Sequence, residues 1–195
     1  SYKKFLSTKL EYGKCEGMGK SKISSHLFDF QKAIVKWAVR KGRCAVFADT
    51  GLGKTFMQLA WAESALLNTD KDVIIFAPLL VNDQTIKEGK KLPLEVVRFI
   101  EKNKCRVKIA NYEQLDNLNP ADYGAIVLDE SSILKSIASK TREKLIEFTK
   151  DIPFRSAYTA TPAPNDIAEF GNHAEFLGVM KREEMLSKFF INKAD

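Results

Sequence analysis

The chain has 195 residues, which argues for one domain or slightly more, and its 45% hydrophobic and 29% charged content is that of a globular protein. The net charge of +6 favours an anionic partner such as nucleic acid or a nucleotide, and no apolar run approaches the roughly 20 residues that cross a bilayer. Three scattered cysteines, Cys15, Cys44 and Cys105, exclude a zinc site or a disulfide framework; their odd number without a signal peptide points to a reducing, intracellular setting, cytoplasmic if bacterial or phage.

Residues 1–27 are rich in Lys, Gly and Ser. Between 3 and 22 stand six lysines against Glu11 and Glu16, which suits either a solvated basic arm or one that contacts phosphates. "FLSTKLEY" (5–12) can alternate as a short strand. A helix is predicted from Asp29, with Phe30, Ile34, Trp37 and Ala38 on one face. Asp29 suits its N-cap, Arg40 and Lys41 its C-terminal dipole, and Gly42 its stop. Five β-like runs follow, "RCAVFA", "DVIIFA", "RVKIA", "GAIVLD" and "RSAYTA". Most are nearly continuous in apolar residues, as strands covered on both faces are, and Cys44 is expected buried within the first. Helical patterns lie between several of them, at 54–66, 79–91 and 138–150. The alternation predicts an α/β fold, a mostly parallel sheet with helices on both faces. In such sheets ligands bind beyond the carboxyl ends of the strands. The chain closes on "KREEMLSKFFINKAD", read as an amphipathic helix and tail.

The residues just after the strand-like runs carry the chemistry. "ADTGLGKT" (48–55) nearly fits the phosphate-loop pattern G-x-x-x-x-G-K-[ST], with Ala48 in the first glycine place. Gly51 and Gly53 let the backbone curl, so that N–H groups of Thr50, Gly51, Leu52 and Gly53 point inward at phosphate oxygens. A helix starting there aims its positive end at the same place. Lys54 then reaches the β- and γ-phosphates, and the Thr55 hydroxyl ligates Mg²⁺. The competing reading is a glycine-rich turn with a solvent lysine. "GAIVLDESS" sets Asp129 and Glu130 at the end of another buried strand. Adjacent acids there divide two roles: Asp129 for the metal, Glu130 to orient or deprotonate the attacking water. A helix cap is the alternative. "YTATPAPND" (158–166) ends a further strand with two hydroxyls, Thr159 and Thr161, and a proline-stiffened exit.

In this order the three motifs resemble the first RecA-like domain of superfamily 2 helicases and translocases, and most closely its Swi/Snf-like DNA-dependent ATPases of phage and bacterial type. "DTGLGKT" resembles D-E-M-G-L-G-K-T. "IVLDESSILKS" is similar to I-x-D-E-x-H-x-x-K-N, with Ile133, Lys135 and Ser136 in register, and "TATPAPN" to T-G-T-P-x-x-N, ending at Asn165. "IANYEQL" resembles T-T-Y-E-x-L, and Phe30-Gln31 the Tyr-Gln of the adenine-sensing segment. The likeness runs over about 28–165. It departs at Ser131-Ser132, which matches neither D-E-A-D nor D-E-A-H; the relatives' histidine is Ser132 here, so its link to the Thr159–Thr161 loop is expected to work differently.

The resemblance implies ATP and Mg²⁺ as cofactors, with Gln31 reading the adenine edge, and Thr159 and Thr161 as a coupling motif. It also implies nucleic acid as partner, through the backbone of double-stranded DNA, with Pro78, Leu79, Asn111 and Tyr112 near the contact. Such contacts are sequence-tolerant and salt-sensitive. The implied domain plan is a basic segment 1–27, a RecA-like ATP-binding domain 28–176, and a tail 177–195. The plan leaves no room for the second RecA-like domain, which in the family supplies arginine fingers. The chain is therefore expected to be an isolated first domain with weak ATP binding and slow turnover. Two other functions stay open: a nucleotide-dependent binding switch without translocation, and a phosphate-loop kinase.

Overall fold

The computed structural model describes residues 17–101, 104–132, 134, 139–162 and 169–189. The possible strand at 5–12 lies outside them, as do Cys15, Ile133, Lys135, Ser136, Asn165 and residues 190–195. Helices α1 (Asp29–Lys41), α2 (Lys54–Leu66), α3 (Asn82–Lys91), α4 (Ser139–Thr149), α5 (Phe170–Phe176) and α6 (Arg182–Phe189) are interspersed with six strands. These are β1 (Arg43–Phe47), β2 (Asp72–Phe76), β3 (Val97–Arg98), β4 (Val107–Ala110), β5 (Tyr123–Asp129) and β6 (Phe154–Thr159). They form one sheet in the order β1-β6-β5-β2-β4-β3, and every pair is parallel.

The apolar runs explain the layering. Successive residues of a strand face opposite sides, so a run apolar throughout needs cover on both. Val73, Ile75, Ala125 and Val127 turn to one core, shared with Val35 and Val39 of α1 and Met57 and Trp61 of α2. Ile74, Phe76, Ile126 and Leu128 turn to the other, with Leu145 and Phe148 of α4 and Phe176 of α5. Phe76 is wholly buried, stacked on Tyr112 at 5.6 Å with Phe148 edge-on at 6.1 Å. Burying such a side chain stabilises the fold by about 1.5–3 kcal/mol. Cys44 is buried as expected, and burial pushes its thiol up to about 12.

Several details differ from the expectation. Phe30 and Trp37 of α1 are 45% and 40% exposed; the buried stripe is Gln31, Val35, Ala38 and Val39. Phe28 takes the N-cap place, with Asp29 in the first turn, because the Gln31 side chain reaches back to the Phe28 N–H at 2.9 Å. β1 is an edge strand whose burial alternates, so it is not covered on both faces. The segment after β2 begins with a 3₁₀ turn, Leu79–Val81, before α3. The two-residue β3 extends the sheet beyond the predicted strands.

Residues 17–27 pack along α1 and α2. Met18 and Leu27 are buried, the Met18 N–H donates to the Val39 carbonyl, and Lys22 pairs with Glu63 at 2.8 Å. At the amino ends of the strands, Arg155 is 4% exposed and donates to the carbonyls of Ile152, Phe176 and Lys150 at 2.9, 2.9 and 2.7 Å. It thereby satisfies carbonyls at the C-terminal ends of α4 and α5, where a cation also suits the helix dipole. Among the described residues, no helix is long and apolar enough to cross a membrane.

Candidate functional site

Because the sheet is parallel, all strands deliver their carboxyl ends to one rim. The strand order sets β1, β6 and β5 side by side there. Phe47 pairs in register with Thr159, and Asp129 with Tyr158. The glycine loop leaves β1, the Asp-Glu pair leaves β5, and Thr159 ends the strand between them. The exits of β2 and β4, with Pro78, Leu79, Asn111 and Tyr112, lie further along the same rim.

Gly51 and Gly53 have φ of +79° and +72°, left-handed values that strain any residue with a Cβ. That is why this loop is glycine-rich. A Cβ at Gly53 would also collide with Gln31 Nε2. Gly53 is the N-cap of α2 and no side chain caps it, so the helix presents its first-turn N–H groups and positive end to the loop. Lys54 Nζ donates to the carbonyls of Ala48 and Asp49, both at 3.1 Å. Thr55 is half-buried in the first turn of α2, Thr50 is exposed, and the Thr50 N–H donates to Asp49 Oδ1 at 2.7 Å. Gln31 is 4% exposed and tied to the loop: its Nε2 donates to the Leu52 carbonyl at 3.0 Å while its Oε1 holds the Phe28 N–H.

Asp129 is buried. Its Oδ1 accepts from Gln58 Nε2 at 2.6 Å and from the Glu130 N–H at 3.0 Å. Burial holds this carboxyl above the usual carboxylate range, while the Gln58 and Glu130 hydrogen bonds and the Lys54 charge pull the other way. Glu130 has φ +52°, left-handed for a residue with a Cβ, at a cost of about 1–2 kcal/mol. Its Oε1 accepts from Ser132 Oγ and from Thr159 Oγ1, both at 2.6 Å. Thr159 Oγ1 in turn accepts the Thr161 N–H at 3.0 Å. A chain of hydrogen bonds thus runs from the Asp-Glu turn through β6 to the next loop, without a histidine at 132.

Lys54, Thr55, Asp129, Glu130 and Thr159 are therefore brought together. Of the four residues expected against nucleic acid, Leu79 is 60% exposed, and Pro78 and Asn111 are half-buried. Asn111 Oδ1 accepts the Gln114 N–H at 3.1 Å, capping its own turn. Tyr112 departs from the expectation. It is buried against Phe76, and its hydroxyl donates to the Asp129 carbonyl at 2.8 Å, so it braces the acidic turn from within. Sequence reasoning missed Gln58, although a lone glutamine in the apolar run "FMQLAWA", one turn after Lys54, is a signal that finds it. It also missed the buried pair Ser131 and His173, 3.0 Å apart, which no local pattern announces.

No family model matches the chain. A curated relative, the SWI/SNF-related matrix-associated actin-dependent regulator of chromatin subfamily A-like protein 1 of Drosophila melanogaster, is 26% identical over 75% of this chain and 21% of its own length. Among solved structures, the SWI2/SNF2 ATPase core of Sulfolobus solfataricus in complex with dsDNA superposes with a TM-score of 0.72 at 24% identity. It covers 87% of this chain and 40% of that one. This is a RecA-like α/β domain. The UvsW helicase of bacteriophage T4 (TM-score 0.65, 13% identity, 93% of this chain and 66% of that chain) shares the RecA-like fold. So does the Hef helicase domain of Pyrococcus furiosus (0.63, 20% identity, 77% of this chain and 36% of that chain). The RecA-like chain spans about a fifth of the Drosophila relative and two fifths of the Sulfolobus chain.

Proposed function

We propose that this domain binds and hydrolyses ATP as the first motor domain of a DNA-dependent ATPase, a translocase acting on double-stranded DNA through its backbone. The observation that carries the reading is the convergence of a glycine loop with Lys54 and two acids at one sheet rim, joined by the Gln58–Asp129 bond. Gly51 and Gly53 offer backbone N–H groups to the phosphates, and the Thr50 and Leu52 N–H groups would turn to them from Asp49 Oδ1 and the Asp49 carbonyl. Lys54, which donates to two loop carbonyls, exchanges them for β- and γ-phosphate oxygens.

The donors fit Mg²⁺. Thr55 and Asp129 supply hard oxygens, and among the described residues no group of three or more His, Cys, Asp or Glu could cage a metal alone, which suits an ion shared with phosphates and water. When bound, Mg²⁺ supplies charge neutralisation on the triphosphate. Glu130 orients and deprotonates the attacking water, and Thr159 and Thr161 pass its state to the following loop. Gln31 senses the nucleotide by exchanging its bond to Leu52 for the adenine edge.

Pro78, Leu79 and Asn111 lie on the rim that would track the DNA backbone, with Tyr112 acting through the turn it braces. The Drosophila relative, named as a regulator of chromatin, and the Sulfolobus ATPase core held with dsDNA support that choice of partner. A second RecA-like domain would complete the cleft, so the single domain should turn ATP over slowly. The test is an ATPase assay on the full-length protein with duplex DNA, single strands and RNA. Duplex DNA should stimulate hydrolysis and Lys54→Ala should abolish it; no stimulation by any of the three would defeat the motor reading.

A further inference from the structure

Ser131 and His173 form a buried polar contact beside the acidic pair. Ser131 is wholly buried and His173 is 4% exposed on α5. The Ser131 N–H is held by the Tyr158 carbonyl at 2.8 Å, and its Oγ lies 3.0 Å from His173 Nε2. On the other side of the ring Nδ1 is buried without a hydrogen-bond partner among the described residues, and the Glu169 backbone one turn earlier only partly offsets the effect of burial. Phe47 meets the ring edge-on at 5.3 Å. Burial disfavours the charged imidazolium. A neutral ring with its proton on Nδ1 has Nε2 as acceptor, so the Ser131 hydroxyl donates to it.

The position of this contact gives it consequence. Ser131 follows directly on Glu130, whose left-handed backbone persists only where its surroundings over-determine it. Ser131 is restrained immediately after the strained residue by bonds to β6 and to α5, and its carbonyl accepts the Leu134 N–H at 3.0 Å.

We propose that His173 is a positioning residue: by holding Ser131 from α5, it keeps Glu130 in the left-handed turn that delivers its carboxylate to Thr159 Oγ1. Its kinetic part rests on Glu130 being the hydrolytic base. The conformational part does not. A displacement of α5 can reach Glu130 through the Ser131–His173 hydrogen bond, so the chain beyond β6 can influence the base without touching nucleotide.

The test compares His173→Leu, His173→Gln, Ser131→Ala and the His173→Leu/Ser131→Ala double variant in the full-length protein. In His173→Leu, kcat should fall on the order of tenfold, as loss of one buried hydrogen bond implies, with ATP affinity held within about twofold. His173→Gln, which keeps an acceptor near the Nε2 position, should restore most of kcat. Ser131→Ala should match His173→Leu, and the double variant should be no worse than either, as for two ends of one interaction.

Amide exchange over 129–132, read without nucleotide, should quicken on the order of tenfold in His173→Leu and Ser131→Ala but not in His173→Gln. If the His173→Leu variant fails to fold, Ser131→Ala carries the same test from the other end. Unchanged kcat in a protein that hydrolyses ATP overturns the proposal. Unchanged exchange overturns it whether or not ATP is hydrolysed, whereas faster exchange in a protein without ATPase activity would sink the base assignment and leave the tether standing.

Discussion

Two cations stand at opposite ends of this sheet, and both donate to carbonyls. Arg155, at the amino end, is buried and spreads three hydrogen bonds of 2.7–2.9 Å over carbonyls near the ends of α4 and α5. Lys54, at the carboxyl end, is half-buried and makes two bonds of 3.1 Å to carbonyls of its own loop. The planar guanidinium is matched to a fixed set of carbonyl acceptors. The ammonium rests on neutral acceptors that, in the proposed function, a charged phosphate would displace. On that reading the same interaction type serves a structural joint at one rim and an exchangeable contact at the other.

The rims differ in strain as well. Each rim has two left-handed glycines, Gly51 and Gly53 at the carboxyl end and Gly42 and Gly178 at the amino end, but the carboxyl rim also holds Glu130 in the left-handed region and a buried carboxyl at Asp129. Such features cost stability and persist where function needs them.

The contrast can be broken in several ways. The largest effect is expected from Glu130→Gln, which should cut ATP hydrolysis about a hundred- to ten-thousand-fold while leaving nucleotide binding intact. Equal loss of binding and turnover in that variant would remove Glu130 from the base role. Next comes Arg155→Met, which should lower unfolding stability by about 3 kcal/mol in denaturant titrations and leave nucleotide affinity unchanged. Lys54→Met should do the reverse, with stability within about 0.5 kcal/mol of wild type and nucleotide binding lost. Similar stability losses in the two variants would show that the rims are not specialised.

Asp129→Asn sharpens the comparison through pH. Burial raises the folded-state pKa above the ordinary 3.8, so the folded protein binds this proton more tightly than the unfolded chain does. The contribution of Asp129 is most favourable below the unfolded pKa and declines as pH rises through the folded value. The Asn variant escapes that decline and can still accept from Gln58, so it should melt higher than wild type at pH 7 while losing hydrolysis. The smallest effect belongs to His173, whose pKa is held below 6.5 by burial. Its contribution is present above the unfolded value and is lost as pH falls through the lower folded one. His173→Gln should flatten the wild-type drop in melting temperature on acidification below that range.

How far the letters reached is clearest at the acidic pair. An apolar strand ending in Asp-Glu was legible because a doubly covered strand must be apolar throughout and then stop at polar residues. The glycine loop was legible because only glycine tolerates its backbone. The burial of Tyr112 was not, since nothing local says that its ring packs on Phe76 and its hydroxyl finds the Asp129 carbonyl. Nor was the true inner face of α1, because Phe30 and Trp37 satisfy the apolar stripe on paper while Gln31 is the residue drawn inward by Leu52 and Phe28.

By itself the sequence determined the five longer strands and most of the helices between them, that the sheet is mostly parallel and largely covered on both faces, and which residue types can handle a phosphate. Those properties follow from backbone sterics and from hydrophobic period, both of which act over a few residues. Only the tertiary structure decided that β6 lies between β1 and β5, so that Thr159 meets Glu130, that Gln58 grips Asp129, and that a histidine on α5 holds Ser131. Those partners are 29, 71 and 42 residues apart along the chain, and it is sheet order and helix packing, not local preference, that make them neighbours.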